Sequence, residues 1–180
     1  MILKLLKNRL KTNPLTTQMM IAGTISGSGD CVAQYWTGNK TWDKVRTARF
    51  AFLASCFMVP TVNVWYKLLD KLQGSTKLGL VVKRVMIDQL CFSPVFNAAM
   101  LFNLRFLQFQ SAEKSIEMLK EDWFNIWTSS LKVWPTVALI NFYFMPIQYR
   151  ITINQIVSFF WNSYLSYSTQ KPIDHIEQFY

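Results

Sequence analysis

Five stretches without a single charged residue dominate the chain: 12–29, 50–66, 89–104, 133–149 and 151–170. A helix needs about 20 mainly apolar residues to cross the hydrocarbon of a bilayer, so each stretch approaches spanning length once its flanks are added. None is as apolar as a simple anchor, because Ser26, Asn63, Asn97, Asn141 and Asn154 lie inside them. Polar groups inside spans suit a polytopic bundle, where helix contacts hide them from lipid. Periodicity alone does not separate this from a soluble all-α domain with buried helices. The repeated stretches, the placement of the tryptophans and the low charge together favour the membrane: only 16% of the residues are charged, against about 25% in an average soluble domain. The expected fold is all-α, a polytopic membrane helix bundle of about four transmembrane helices behind an N-terminal amphipathic helix, forming one integral domain over 1–180.

The formal net charge is +9, and the bases cluster between the apolar stretches: Lys4, Lys7, Arg9 and Lys11; Lys40, Lys44, Arg46 and Arg49; Lys67, Lys71, Lys77, Lys83 and Arg84. Such clusters suit a lipid bilayer with anionic headgroups as partner. Direct nucleic-acid binding is discounted, because no basic stripe interleaves with exposed aromatics. The three cysteines are single and widely spaced, and the only histidine, His175, lies in the polar tail. No metal set, disulfide framework or Ser-His-Asp constellation can be assembled from them, and no cofactor is expected. An enzyme is not expected either, since no nucleophile–base pair or phosphate-binding glycine loop is visible.

Along the chain, residues 1–13 alternate leucines with bases and read as an interfacial amphipathic helix, although an acid-free basic start also resembles a mitochondrial transit peptide. The spans are expected at about 15–36, 45–69, 80–109 and 133–168, the last being one span or two segments. The mixed-charge stretch 110–122 reads as a separate solvated or interfacial helix. In the first span, Gly23, Gly27 and Gly29 supply a close-packing face. At about 100° per residue, Asp30 and Gln34 share that face. Pro60, Pro94, Pro135 and Pro146 are expected to kink their helices. Asn141 is expected to make an interhelical hydrogen bond. The bases of the N-terminus and the second loop outnumber those of the first loop, which puts the N-terminus on the matrix or cytosolic face.

Read in order, the polar and proline-containing clusters form a series. Pro14, Gly23, Gly29-Asp30 and Gln34 come first, then Arg46, Arg49, Pro60, Trp65-Tyr66 and Leu69-Asp70. Asp88-Gln89, Ser93-Pro94, Trp134-Pro135, Asn141-Phe142, Pro146, Arg150, Trp161 and Tyr164-Leu165-Ser166 complete it. This ordered set resembles the Mpv-seventeen family, also named for the twenty-two-kilodalton peroxisomal membrane protein. The similarity extends from about Leu6 to Ser168, and the stretch WPTVALINFYFMPIQYR is most similar to the mitochondrial branch. Two positions depart from the family's usual pattern: Val59-Pro60 stands where Gly-Pro is common, and Ala138 where Gln is frequent. The resemblance implies location in the mitochondrial inner membrane, with the peroxisomal membrane as the alternative. It also implies a non-selective or weakly selective channel that supports mitochondrial homeostasis and mitochondrial DNA maintenance.

Two readings follow. In the first, Asp30 and Gln34 on one helix join Asp88 and Gln89 on another, with Arg150, in a polar pathway for ions or small solutes. A charge at mid-bilayer costs about 2.5–3.5 kcal/mol, so such groups must face water, a partner charge or the bundle interior. Pairing with Arg46, Arg49 or Arg150 would instead make them structural. In the second reading the glycine face packs against other membrane proteins, or against a second copy of the chain, and nothing is transported.

Overall fold

A computed structural model describes residues 8–36 and 41–169 of the chain. They form a short helical stretch at 8–12 and five long helices: α1 Pro14–Trp36, α2 Lys44–Asp70, α3 Lys77–Phe109, α4 Ala112–Phe144 and α5 Ile147–Thr169. No strand occurs among the described residues. Most of the expected amphipathic segment, 1–7, lies outside the described residues. Within the rest of it, Leu10 is buried while Arg9 and Lys11 are exposed.

Local chemistry sets the ends. Asp43 caps α2 by accepting from the Arg46 amide, Thr76 caps α3 by accepting from Gly79, and Ser111 caps α4 by accepting from Lys114. Gln110, in the left-handed region at φ 54°, closes α3 with its amide on the Phe106 carbonyl. Met145 is extended because the ring of Pro146 excludes the helical region for the residue before it, and α4 ends there.

The other prolines are absorbed. Pro60 and Pro94 each follow a short π-helical stretch, Leu53–Met58 in α2 and Asp88–Phe92 in α3. The amide of Val59 reaches the carbonyl of Ala54, and that of Ser93 reaches Asp88, one residue further than in an α-helix. The widened turn makes room for a ring that would clash with the carbonyl four residues back. Pro135 lies inside α4, which continues past it to Phe144, so it ends no helix.

One boundary differs from the sequence expectation, and one that was left open is decided. The mixed-charge stretch 110–122 is no separate helix, since α4 runs without a break from it into the apolar stretch. No Gly or Pro occurs between Ala112 and Trp134, and alternating charge reports solvent contact, not a helix end. The region 133–168, expected as one span or two segments, is two helices, because Pro146 divides it between α4 and α5.

By length and apolar character, α2 and α3 qualify as membrane-crossing helices. Their surfaces are inverted relative to a soluble bundle. Val64, Leu68, Leu90 and Val95 are exposed, while polar residues are buried throughout the molecule about as often as apolar ones. The helices are joined at both ends by ion pairs whose arginines are buried. Arg46 of α2 meets Asp30 of α1, and Arg105 of α3 meets Asp122 of α4. At the other end, Asp70 of α2 meets both Arg84 of α3 and Arg150 of α5. Along α2, Arg46 and Asp70 are about 36 Å apart at 1.5 Å per residue; along α3, Arg84 and Arg105 are about 32 Å apart. Both separations are close to the hydrocarbon thickness of about 30 Å.

Between these two charged belts the interior has two apolar layers. Tyr66, Leu69, Val81, Phe142 and Ile151 belong to one, towards the Asp70 end. Phe50, Leu53, Leu101, Leu104, Ile126 and Leu165 belong to the other, towards the Asp30 end.

Candidate functional site

The buried polar groups fall into three clusters. The first ties α1 to α2 around Asp30, which is fully buried. Its carboxylate accepts from Arg46 Nε at 2.8 Å, from Gln34 Nε2 at 2.7 Å and from Thr47 Oγ1 at 2.7 Å. Gln34 also accepts from the Asp43 amide at 2.7 Å, which ties the end of α1 to the start of α2. Every group here has a partner of opposite character, and none of these residues lines the interior cavity.

The second cluster is a latch at the opposite end. Asp70 Oδ1 accepts from Arg150 Nη1 at 2.7 Å and lies 3.1 Å from Arg84 Nη1. Arg84 also donates to the carbonyls of Leu69 and Asp70, covering the unsatisfied end of α2, and Arg150 donates to the Met145 carbonyl at the end of α4. Its guanidinium lies 5.1 Å from the Phe142 ring centroid. Asn141 donates to the Arg150 carbonyl and to Asn154 Oδ1, which ties α4 to α5. Arg150 and Asn141 therefore hold helix ends together.

The third cluster surrounds a cavity of about 100 Å³ enclosed by α2, α3, α4 and α5, between the two apolar layers. Asp88 faces it. Its carboxylate accepts from Trp65 Nε1 and from Gln89 Nε2, both at 2.7 Å, and no cation pairs with it among the described residues. Trp65 is held by stacking on Phe92, with centroids 4.6 Å apart, and Phe92 stacks in turn on Phe96. Across the cavity stand Asn154, Gln155, Ser158 and Asn162 of α5. Asn154 donates to the Tyr66 hydroxyl at 2.6 Å. Three polar atoms on the lining residues are buried with no protein partner: Gln89 Oε1, Gln155 Oε1 and Asn162 Nδ2. A buried amide left unsatisfied costs about 1–3 kcal/mol, so three around one cavity mark a place for water or a polar solute.

The structure thus separates residues that sequence reading had grouped. Asp30 and Gln34 are in the first cluster, Arg150 in the second, Asp88 and Gln89 in the third. The glycines are also occupied within the chain. Gly23 lies against Ser55 and Ala51, and Gly27 against Thr47 and Ala51. A Cβ on Gly29 would stand 3.0 Å from the Phe159 carbonyl oxygen. The face expected to receive a partner protein receives α2 and α5 instead. Sequence reading missed Ser93 and Asn97 on α3, and Gln155, Ser158 and Asn162 on α5. A signal was present, since Gln89, Ser93 and Asn97 recur every fourth residue, and Gln155, Ser158 and Asn162 follow i, i+3, i+7 spacing. No group of His, Cys, Asp and Glu able to hold a metal occurs among the described residues.

Comparison with known proteins gives concordant matches. The Mpv17 / PMP22 family profile matches residues 105–166. The mitochondrial inner membrane protein Mpv17 of Caenorhabditis elegans is 65% identical, over 99% of each chain. The chain belongs to the Mpv17 / PMP22 family. The human Mpv17 protein is 32% identical over 90% of this chain and 94% of its own length, and the zebrafish (Danio rerio) protein is 35% identical over 88% and 92%. The shared name of these relatives places this family member in the mitochondrial inner membrane. No solved structure matches the chain. The stretch matched by the Mpv17 / PMP22 profile contains α4 and the α5 wall of the cavity.

Proposed function

We propose that this Mpv17-family chain is a weakly selective channel for ions or small metabolites, with the Asp88 cavity as the middle of its path. The observation that carries this reading is a buried carboxylate without a cationic partner, beside three unsatisfied amide atoms facing one cavity. The apolar layers on either side close the path in this conformation, so conduction requires them to part. The two π-helical stretches favour such movement, because Met58, Asp88, Gln89 and Phe92 line the cavity and a π-turn can relax to α-helix. In this reading the chain spans the membrane between its two charged belts, with α4 and α5 as an antiparallel pair in place of a single fourth span, and residues 1–13 lie amphipathically on the surface. The spacing of the charged belts supports it. By family resemblance, the solute flow would serve mitochondrial homeostasis and mitochondrial DNA maintenance.

Planar-bilayer recording of the purified chain beside Asp88→Asn and Gln155→Leu tests the channel. Reproducible currents are expected in the wild type, with altered ion preference in the first variant and reduced conductance in the second. Silent bilayers from folded protein would sink the channel in favour of an assembly role; currents unchanged in both variants would remove the Asp88 cavity from the path. The assembly reading has lost its glycine face to internal packing, so it would have to use the exposed apolar surfaces of α2 and α3.

A further inference from the structure

The two ends of the bundle differ in charge. One is where α1, α3 and α5 begin and α2 and α4 finish. There Arg9, Lys11, Lys67, Lys71, Lys77 and Lys83 are all exposed, and none is in an ion pair among the described residues. Asp70, the carboxylate at this end, is already held by Arg84 and Arg150. At the other end Lys44, Arg49, Lys114 and Lys120 are interspersed with Asp43, Glu113, Glu117 and Glu121. The mixed-charge start of α4 is what balances that end, because the fold carries it away from the lysines.

The unmatched lysines also stand over apolar strips. On α2, Val64, Leu68 and Lys71 share one exposed face at i, i+4, i+7 spacing. On α3, Lys83, Met86 and Leu90 do the same at i, i+3, i+7, in the opposite chain direction. In both cases the base lies at the level of the outer charged belt and the apolar residues run inward from it. A base above an exposed apolar stripe has the profile of one phospholipid, with phosphate at the cation and acyl chain along the stripe.

We propose that this end binds anionic phospholipids, with their phosphates on Lys71 and Lys83 and their chains along Leu68–Val64 and Met86–Leu90. A free phosphate would be drawn to the lysines but would have no use for the stripes. By the excess of bases, this is also the end that faces the matrix. The inference rests on membrane insertion and not on conduction.

The test is electron paramagnetic resonance of spin-labelled phosphatidylglycerol and phosphatidylcholine around the protein in phosphatidylcholine vesicles. The wild type should restrict the anionic probe preferentially. A base near an anionic surface favours binding by about fivefold, so Lys71→Gln with Lys83→Gln should lower the preference by about that factor or more. Salt at about 1 M, where the Debye length is about 3 Å, should have a similar effect. Lys71→Arg with Lys83→Arg should keep the preference, as should Lys114→Gln with Lys120→Gln at the other end. Leu68→Ser with Leu90→Ser should weaken it although no charge changes. An undiminished preference in the Lys71/Lys83 glutamine variant would overturn the proposal, as would an equal loss in the Lys114/Lys120 variant. So would full competition by soluble glycerol phosphate, which would assign the lysines to free anions. Unaltered circular dichroism and solute flux in the glutamine variants would separate failure here from failure of the channel.

Discussion

Asp30 and Asp88 are both buried aspartates on long helices, yet their surroundings are opposite. Asp30 sits where α1, α2 and α5 pack closely through glycines, and its carboxylate is met by a guanidinium, an amide and a hydroxyl. Asp88 sits where α2, α3, α4 and α5 stand apart around a cavity, with two neutral donors and unsatisfied amides nearby. One half of the molecule is a closed, dry joint; the other has retained unsatisfied polarity. A buried charge kept with a partner fixes geometry, whereas one kept without a cation costs stability that only a function would repay.

The largest expected effect falls on the joint. Asp30→Ala leaves Arg46 buried without its counter-charge, a change that costs about 3–5 kcal/mol. Thermal unfolding in detergent should show a strongly destabilised protein. Asp30→Leu combined with Arg46→Met should recover most of the loss, because an apolar pair of similar volume replaces the ion pair. If the single variant unfolded like the wild type, the carboxylate would not be structural and the contrast with Asp88 would fail.

At the cavity the expectation reverses. Asp88→Asn preserves the shape of the side chain and its acceptance from Trp65, and it removes a charge that no cation balances. Its stability should stay within about 1 kcal/mol of wild type or rise. Its ion preference, read from reversal potentials, should shift. Loss of folding comparable with Asp30→Ala would make Asp88 a second structural anchor.

These contrasts were unequally legible in the sequence. The helices α1 to α3 followed from apolar length, because that signal is local; the caps Asp43 and Thr76 are as local but were not used. The continuity of α4 was hidden by the change of composition near Trp123, although no residue in Ala112–Trp134 breaks a helix. Pro60 and Pro94 were visible, but their accommodation by π-turns depends on which carbonyl the amide just before each proline finds. The partners of the aspartates were least legible. Asp70 meets Arg150 from 80 residues away, and nothing local tells a paired aspartate from an unpaired one. The polar cavity wall was readable from the spacing of Gln155, Ser158 and Asn162. Its meaning came only when α5 was seen to face Asp88 and not lipid.

Filling the cavity gives a smaller effect on stability than breaking the joint. Ser158→Leu replaces a buried lining hydroxyl with an isopropyl group, adding net volume in an existing space. Overpacking costs about 1–3 kcal/mol in a filled core, and less where a cavity receives the added volume. Unfolding should therefore change by about 1 kcal/mol or less, while flux falls. A large destabilisation would show that the space is not available to a side chain.

The finest test uses two glycines of α1 two positions apart. Gly29→Ala places a Cβ 3.0 Å from the Phe159 carbonyl oxygen and 3.3 Å from Asn162 Cβ, so α5 must move away. That backbone cannot give at low cost, and a loss of about 1–3 kcal/mol is expected. Gly27→Ala places its Cβ 3.5 Å from Thr47 Cγ2 and 3.6 Å from Ala51 Cβ, which is ordinary contact. There the removal of glycine's conformational freedom should dominate and raise stability by about 0.4–1 kcal/mol. Both changes add one methyl to the same helix, so thermal unfolding of the pair isolates packing from helix propensity. Opposite signs would show that α1 is held tightly against α5 at Gly29 and with slack against α2 at Gly27. Equal signs would mean that the dry half is uniformly packed, and the contrast between the halves would then rest on the cavity alone.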